Sequence, residues 1–264
     1  MTGSVGAIDL SVWQLGLAVL LVGVLVAISA WQALGLERDL IVGTVRTIVQ
    51  LYLVGIILES VFATGRWYWV VFVLIGMTGV ATQAAVSRLK KPIPGRYEIA
   101  TVAIGVSTAV TLAWVIGVVV RVHPWYEPQY VIPIAGMILG NAMTSAALAG
   151  DRLQSDLRAR TDEIEAMLAL GFSGGDAVRP MVRAAVRAAM IPTVSGMMTV
   201  GLVQLPGMMT GQILAGAAPL VAIKYQIVVV FMLAVATSVA SLLFVRLAVG
   251  RYLTPAHQLR RYLL

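Results

Sequence analysis

The sequence predicts an all-α polytopic membrane bundle of about seven transmembrane helices, with the N-terminus outside and the C-terminus in the cytoplasm. Three observations lead to this prediction. The composition is 59% hydrophobic and 12% charged, whereas soluble domains carry roughly a quarter charged residues. The apolar residues form blocks of about 20, the length of a helix that crosses a bilayer core of ~30 Å. Finally, the basic residues gather in alternate loops between these blocks.

Seven apolar blocks define the expected spans, which together form one permease domain over residues 1–264. The spans are expected at residues 11–34, 41–62, 67–86, 98–120, 131–149, 188–206 and 225–245. No Lys or Arg precedes the first block. Because a cleaved secretory signal begins with a basic region, we expect this first block to be retained as a span.

The positions of the basic residues orient the spans. With the N-terminus outside, all but three of the 19 Lys and Arg residues fall on the cytoplasmic side, Lys90 and Lys91 among them. The outer side keeps Arg66, Arg121 and Lys224. Short cytoplasmic loops of membrane proteins carry an excess of basic residues. This orientation therefore requires an odd number of crossings and a cytoplasmic C-terminus.

A charged segment, residues 150–187, separates the fifth and sixth spans. Asp162 is a candidate N-cap with Glu165 at the third helical position, and Gly171 is a candidate stop, which together predict a short amphipathic helix. The expected apolar stripe of this helix comprises Ile164, Met167, Leu168 and Leu170. A second helix with arginines at four-residue spacing is expected to follow and to bend near Pro192. The alternative is a solvated connecting loop.

A second irregular segment runs from Leu205 to Pro219 between the last two spans. Its apolar stretch is bracketed by Pro and Gly and is too short to cross a bilayer, so we expect a re-entrant or interfacial segment on the outer side. Glycines four residues apart occur here and in the fifth span, a spacing that lets helix backbones approach closely. These candidate packing glycines are Gly136, Gly140, Gly207 and Gly211.

Motifs of enzyme chemistry are absent from the sequence. There is no Gly-x-x-x-x-Gly-Lys-Ser/Thr phosphate loop, no Gly-x-Ser-x-Gly elbow and no paired-histidine zinc motif. Cysteine is absent, and the two histidines, His123 and His257, stand apart and are expected at the surface. We therefore expect a chain that is not an enzyme and holds no cofactor of its own. Its metal ligands stay unassigned at this stage.

Polar side chains inside the apolar blocks are a better functional lead, because lipid-exposed polar groups are costly and usually face the bundle or a water path. The candidate translocation path comprises Arg46, Gln50, Gln83, Asn141, Thr144, Ser145 and Gln204. The alternative for each is hydrogen bonding between helices that only holds the bundle together. For Arg46, a further alternative is that its long side chain reaches the cytoplasmic surface.

Four sequence blocks of the second half occur in a fixed order. They are VIPIAGMILGNAM at 131–143, RAAMIPTV at 187–194, TVGLVQLPGMM at 199–209 and AIKYQ at 222–226. The order and content of these blocks resemble the iron-export ABC transporter permease family of the FetB type, to which the plant aluminium-tolerance permeases are similar. The resemblance is dense over 131–235 and looser over the first 130 residues, where Arg46 and Gln50 match.

The resemblance implies a multi-pass permease of the inner (plasma) membrane that exports iron or a related metal species. It implies two copies of the permease, paired with a separate cytoplasmic ABC ATPase that binds ATP and Mg. It also gives the amphipathic helix a role in ATPase coupling. The residues implied in coupling are Asp162, Glu163, Ile164, Glu165, Ala166, Met167, Leu168, Leu170 and Gly171. The Ile-x-Leu-Pro sequence that follows in importers is not in register, which argues against a conventional importer.

Two alternatives stay open at this point. Export of an organic solute such as a nucleotide sugar would be favoured by a basic lining, for which Arg46 is the only deeply placed candidate. A non-transporting membrane anchor or regulator of an ATPase would be favoured by a scarcity of polar groups inside the membrane. The cluster of Asn141, Thr144 and Ser145 counts against that second alternative.

Overall fold

The computed structural model describes residues 11–89, 93–254, 256 and 258–263. Over these residues the chain forms nine α-helices: α1 Val12–Trp31, α2 Glu37–Thr64, α3 Trp67–Ser87, α4 Arg96–Trp114, α5 Pro128–Ala159, α6 Thr161–Ala169, α7 Gly174–Thr199, α8 Gly207–Leu214 and α9 Pro219–Tyr252. A π-helix, Val115–Val120, continues α4, and a 3-10 helix, Arg261–Leu263, follows α9. Lys90, Lys91 and His257, used in the sequence predictions, lie outside the described residues.

Six of the described helices, α1 to α5 and α9, are long and apolar enough to cross a membrane. Their positions coincide with six of the expected spans, and the prediction of an all-α polytopic membrane protein is confirmed. The remaining expected span, 188–206, lies in α7 and the turn that follows it. Three arginines of α7, Arg179, Arg183 and Arg187, lower the mean hydropathy of the helix as a whole. The count of seven crossings and their orientation stay predictions.

Contacts group the chain into two compact units. The N-terminal unit runs to Gly65 and takes in Gly211–Ala218, and the C-terminal unit comprises Arg66–Thr210 with Pro219–Leu264. The boundary between the units falls within α8. One permease domain over residues 1–264 stays a prediction.

The N-terminal unit contains α1 and α2. Ser11 and Gln14 form a capping box at the start of α1, which satisfies backbone N–H groups that the first helical turn leaves free. Ser29, near the end of α1, donates its hydroxyl hydrogen to Glu37 Oε1 at 2.7 Å and accepts from the Leu36 backbone N–H at 3.1 Å. This buried serine therefore fixes the turn between the two helices.

The C-terminal unit is built around α5, which packs against α3, α4, α7 and α9. Alanines 142, 146 and 149 of α5 are fully buried, and small side chains of this kind let neighbouring helices approach closely. The approach is tightest at Gly150, where an added Cβ would lie 2.6 Å from Phe244 Cε1 and 2.9 Å from Leu89 Cδ2. Only glycine fits at this crossing.

Two buried hydrogen bonds join α9 to its neighbours. Ser107 Oγ of α4 donates to the Ala236 carbonyl at 2.7 Å, and Gln154 Nε2 of α5 donates to the Tyr252 hydroxyl at 3.1 Å. In a membrane protein there is little hydrophobic force between apolar helices, so packing and such hydrogen bonds set their register. These bonds hold the C-terminal half of α9 in place.

α7 is a single helix of 26 residues, about 39 Å long. Ser173 caps its start by accepting from the Asp176 backbone N–H at 3.2 Å. The helix ends at Thr199, seven residues before the predicted end of the sixth span. There the chain turns through Gly201, whose φ of +82° suits glycine, and the Gly201 N–H donates to the Gln204 carbonyl at 3.0 Å. The short helix α8 then occupies the region where a re-entrant segment is expected.

Candidate translocation cavity and coupling helix

A cavity of about 280 Å³ lies within the C-terminal unit, where α5, α7 and α9 meet the turn that follows α7. Its lining comprises Asn141, Pro192, Thr193, Gly196, Met197, Val200, Gln204, Pro206, Gln226, Val230 and Leu233. Three of these side chains are amides and one is a hydroxyl, and none carries a charge. The cavity is therefore electrically neutral, with four polar side chains in a lining that is otherwise apolar.

Gln226 is the most deeply buried amide of the cavity, at 8% exposure on α9. Its Oε1 is buried and has no hydrogen-bond partner among the described residues. Leaving a buried acceptor unpaired costs roughly 1–3 kcal/mol. Because this oxygen exposes almost no surface, it faces packed protein and not the open space of the cavity.

Asn141 brings an exposed amide to the cavity from α5. Its Nδ2 donates to the Met137 carbonyl at 2.9 Å, one turn back along the same helix. This bond uses one of the two amide hydrogens, so Asn141 keeps one N–H donor and the oxygen Oδ1 for the cavity. Thr193 Oγ1 of α7 lies 3.4 Å from Thr237 Oγ1 of α9, a contact that joins the two helices beside the cavity.

The C-terminal end of α7 lies at the same cavity, since Gly196, Met197 and Val200 all line it. The last carbonyls of a helix point beyond its end and carry a partial negative charge equivalent to roughly half an electron. Pro192, also in the lining, has no N–H to offer the carbonyl one turn back. The turn satisfies part of this end itself, since the Gly196 carbonyl accepts from the Val200 N–H at 2.9 Å and the Thr199 carbonyl accepts from the Val203 N–H at 3.0 Å.

The structure separates the members of the predicted path. Asn141 and Gln204 meet at the cavity. Thr144 instead donates to the Gly140 carbonyl at 2.9 Å and accepts from Arg88 at 3.2 Å, and Ser145 is buried with its hydroxyl donating to the Ala142 carbonyl at 3.0 Å. Thr144 therefore fits the alternative of bonding between segments of the bundle, whereas the Ser145 hydroxyl bonds only within its own helix.

The other predicted path residues do not line the cavity. Gln83 is exposed on α3, and Arg46 and Gln50 are exposed one turn apart on α2 of the N-terminal unit. The sequence analysis assigned no role to Gln226 or Thr193, although both occur in the blocks that carry the family resemblance. A polar residue inside an apolar block is the signal that could have identified Gln226.

The expected amphipathic helix is present as α6 and stops where it was predicted to stop. Gly171 has φ +89°, its N–H donates to the Leu168 carbonyl, and the Phe172 N–H donates to the Met167 carbonyl. This pair of bonds is the Schellman arrangement, which satisfies the last carbonyls of a helix. The predicted start is wrong, because Arg160 occupies the N-cap position and Asp162 lies in the first turn.

The apolar stripe on α6 mostly faces the chain's own core, which leaves little of it exposed for a partner. Ile164 is fully buried in the chain's own core, and Met167 and Leu168 pack against that core. The apolar surface that stays exposed is Leu170, at 77%, and Phe172, at 50%. Periodicity showed that one face of α6 is apolar, but the core of this chain covers most of that face.

Ion pairs secure the charged face of α6. Arg160 Nε donates to Glu163 Oε2 at 2.7 Å, and this hydrogen bonding lowers the pKa of the Glu163 carboxyl. Arg261, in the 3-10 helix after α9, donates to both oxygens of Glu165 and to Asp162 Oδ1 at 3.2 Å. The C-terminal segment thus holds α6 from the exposed side while Ile164 anchors it from the core.

The predicted packing glycines do not bring helices of this chain together. A Cβ on Gly140, Gly207 or Gly211 would meet nothing within 4 Å, and a Cβ on Gly136 would meet only the flexible end of Met77 at 3.3 Å. The close approach occurs instead at Gly150. His123 is exposed, as expected. The described residues contain no group of three or more His, Asp or Glu side chains placed to hold a metal ion.

Residues 12–253 match the family described as Uncharacterised protein family (UPF0014). The chain belongs to the UPF0014 family. A UPF0014 membrane protein of the cyanobacterium Synechocystis is 40% identical over 94% of each chain. The protein named Probable iron export permease protein FetB, from Escherichia coli, is 37% identical over 93% of each chain. Protein ALUMINUM SENSITIVE 3 of Arabidopsis thaliana is 35% identical over 93% of this chain and 88% of its own.

The residues that match the UPF0014 family include the cavity lining and α6, since the match runs through all nine α-helices. It confirms the resemblance drawn from the four sequence blocks. The naming of FetB as an export permease is consistent with a transport protein and not with an enzyme. No solved structure matches the chain.

Proposed function

We propose that this chain is the permease subunit of an ATP-driven ABC exporter in the inner (plasma) membrane, energised by a separate cytoplasmic ATPase. The observation that carries the proposal is the placement of α7. Its first residues follow directly on the turn after α6, and its last residues form a wall of the cavity. One helix of about 39 Å thus connects the proposed ATPase contact to the proposed cargo site.

The mechanism follows from this connection. The ATPase binds Leu170 and Phe172, the exposed apolar residues beside α6, in a groove of its own. Ile164 is buried in the core that also contains Ala177 and Met181 of α7, so a displacement of α6 displaces α7 with it. The far end of α7 then moves against α5 and α9, which changes access to the cavity between its two sides.

The cargo is iron or a related metal species, and two copies of the permease work with two ATPase subunits. The cargo assignment is supported by the name of the E. coli relative. Export of a nucleotide sugar is less well supported, because its phosphates require basic partners and no basic residue lines the cavity. A non-transporting anchor is less well supported as well, because an anchor has no use for a buried amide left unpaired.

The proposal is tested by Leu170→Asp and Phe172→Asp, with Tyr97→Asp as the control. Tyr97 is 53% exposed at the start of α4, on the expected cytoplasmic side, and lies outside α6. Each variant is co-expressed with the ABC ATPase that co-purifies with the parent chain, and iron efflux is measured in reconstituted vesicles. We expect the Leu170 and Phe172 variants to insert normally but to lose ATPase co-purification and ATP-dependent efflux, and the control to keep both. Parent rates in all three variants would contradict the coupling role.

A further inference from the structure

An apolar groove of about 790 Å³ lies on the surface of the C-terminal unit, between α9 and the second half of α4 with the π-helix that continues it. Val110, Trp114 and Val118 line one wall, and Phe231 and Val235 line the other. The groove is open, since Trp114 and Phe231 are 63% and 60% exposed. Because both of its helices are candidate membrane spans, the groove faces the apolar part of the bilayer.

The groove continues into a smaller space that contains a cation. Val119 and Val228 line both, and the smaller space, of about 200 Å³, is also lined by Lys224 and Tyr225 of α9. Lys224 is exposed, and no salt bridge among the described residues involves it. An apolar trough therefore leads to an ammonium group and a phenol.

Positive charge is scarce on this side of the protein. Lys224 and Arg121 are two of the three basic residues on the expected outer side of the membrane. Arg121 directly follows Val120, which lines the smaller space, and its Nε donates to the Val118 carbonyl at 3.3 Å. Since basic residues are concentrated in cytoplasmic loops, two of the three outer ones at one end of one groove indicate a local use for positive charge.

The length of the groove corresponds to one leaflet of the bilayer. From Lys224 to Val235, α9 rises about 16 Å, which is about half of a hydrocarbon core of ~30 Å. Tyrosine rings favour the level of the lipid headgroups, so Tyr225 marks the membrane surface and Val235 lies near the midplane. A partner helix that crossed the membrane would need a trough of the full thickness, whereas an acyl chain ends at the midplane.

We propose that this groove binds one anionic phospholipid, with an acyl chain between the π-helix and α9 and the phosphate at Lys224. Lysine binds phosphate as a point charge, and the Tyr225 hydroxyl is a suitable second donor. Arg121 adds positive charge at the same end. Basic pockets between membrane helices bind anionic headgroups in this way. The π-helix forms part of the wall, and turns of this kind recur at functional sites. The inference does not depend on the cargo or on the ATPase.

The test uses the full-length chain purified in a non-ionic detergent, with native mass spectrometry to count bound lipids at increasing lipid concentration. The probes are dioleoyl phosphatidylglycerol, which is anionic, and dioleoyl phosphatidylcholine, which has the same chains and no net charge. Glycerol 3-phosphate supplies the phosphate without acyl chains. We expect one phosphatidylglycerol per chain to bind at least about fivefold more tightly than phosphatidylcholine, and glycerol 3-phosphate not to bind at the same concentration.

Variants assign the binding to the groove. Lys224→Met removes the charge and keeps a long side chain, so we expect it to weaken phosphatidylglycerol binding about fivefold and to leave phosphatidylcholine binding unchanged. Arg66→Met is the matched control, because Arg66 is the third outer basic residue and lies outside the groove. Val118→Trp fills the groove and should abolish the tight binding. Its control is Val106→Trp, since the two valines are 46% and 43% exposed and Val106 is not in the lining.

Unchanged melting temperatures in the absence of lipid show that the variants are folded. Equal binding of the two lipids by the parent chain means annular lipid only and overturns the inference, as does equal binding of phosphatidylglycerol by the parent and Lys224→Met. Binding of glycerol 3-phosphate as tightly as phosphatidylglycerol means an anion site without a lipid chain and also overturns it. Dissociation of a dimer by Val118→Trp, with phosphatidylglycerol binding unchanged, means that a second copy covers the groove and overturns it too.

Discussion

Gly150 is the residue at which the packing of this bundle leaves least room. A methyl group there would approach the Phe244 ring of α9 to 2.6 Å and Leu89 to 2.9 Å. Phe244 is itself fully buried and has little freedom to move aside. The Gly-x-x-x-Gly spacing did not predict the close approach at Gly150, because the glycine pairs four residues apart lie at other positions in the chain.

Gly150→Ala should therefore destabilise the C-terminal unit by about 1–3 kcal/mol, the usual cost of inserting a methyl group into a packed core. Gly140→Ala on the same helix is the control, because a Cβ there would meet nothing within 4 Å. It should leave stability unchanged or slightly raise it through helix propensity. The free energy of unfolding of both variants is measured in mixed detergent micelles. Equal stability of the two variants would show that the α5–α9 crossing is more adaptable than the structure indicates.

Gln226 shows why single residues of the site were difficult to predict. An isolated glutamine in an apolar block is equally compatible with a bond between helices and with a cavity wall. Asn141 was selected from the sequence for its polarity, and so was Ser145, yet only Asn141 reaches the cavity. What separates them is the direction of each side chain around α5, which depends on how four neighbouring helices pack.

At the scale of elements, the helix positions were largely predictable because hydropathy is a local property of the sequence. The ends were less predictable. α5 extends to Ala159 and α9 to Tyr252, beyond the apolar blocks, because polar residues continue a helix once it has formed. The apolar stripe of α6 was expected to serve ATPase coupling. The residues of this chain that cover it, such as Met181 on α7, cannot be identified from a local pattern.

The C-terminal stop of α6 gives a prediction about this element. Gly171→Val places a β-branched side chain at φ +89°, a conformation that costs L-residues roughly 1–2 kcal/mol. We expect faster hydrogen exchange in residues 165–173 and weaker ATPase co-purification. Gly175→Ala, within the first turn of α7 and without a positive φ, is the control and should leave exchange unchanged. Identical exchange in both variants would remove Gly171 from the coupling element.

The ion pair of α6 gives a prediction about pH. Hydrogen bonding from Arg160 lowers the pKa of Glu163 below its ordinary value of 4.5, so the folded helix favours the ionised carboxylate. The stability that the ionised Glu163 adds to the folded helix is present above the pKa of this group in the unfolded chain. It is lost as the pH falls through the lower pKa of the folded helix. The protection factors of the α6 amides, which correct exchange for the pH dependence of its intrinsic rate, should therefore fall below about pH 4.5, and fall less in Glu163→Gln. The ion pairs of Arg261 are present in both proteins, so equal pH profiles would mean that the Arg160 pair contributes nothing.

At the scale of the whole molecule, the central question is whether α7 crosses the membrane. Its apolar half, residues 188–199, spans only about 18 Å, less than the bilayer core of ~30 Å. The crossing would be completed by the exposed apolar turn at 200–206, where Leu202 and Val203 are 88% and 84% exposed. Non-helical backbone is tolerated at membrane depth only where it is buried in protein or lines a cavity that admits water, and Val200, Gln204 and Pro206 of this turn line the cavity beside α5 and α9.

A crossing by α7 predicts that the two ends of this helix lie on opposite sides of the membrane. The chain contains no cysteine, so single-cysteine variants report cleanly. Leu170→Cys and Leu202→Cys place the label at positions 77% and 88% exposed. In intact cells an impermeant maleimide should label position 202 and, as the outer reference, position 123. Positions 170 and 260 should label only after permeabilisation, because the basic residues keep those loops in the cytoplasm. Labelling of 170 and 202 from the same side would mean that α7 does not cross, that the bundle has six spans, and that α7 cannot carry motion from α6 to a cargo site inside the membrane.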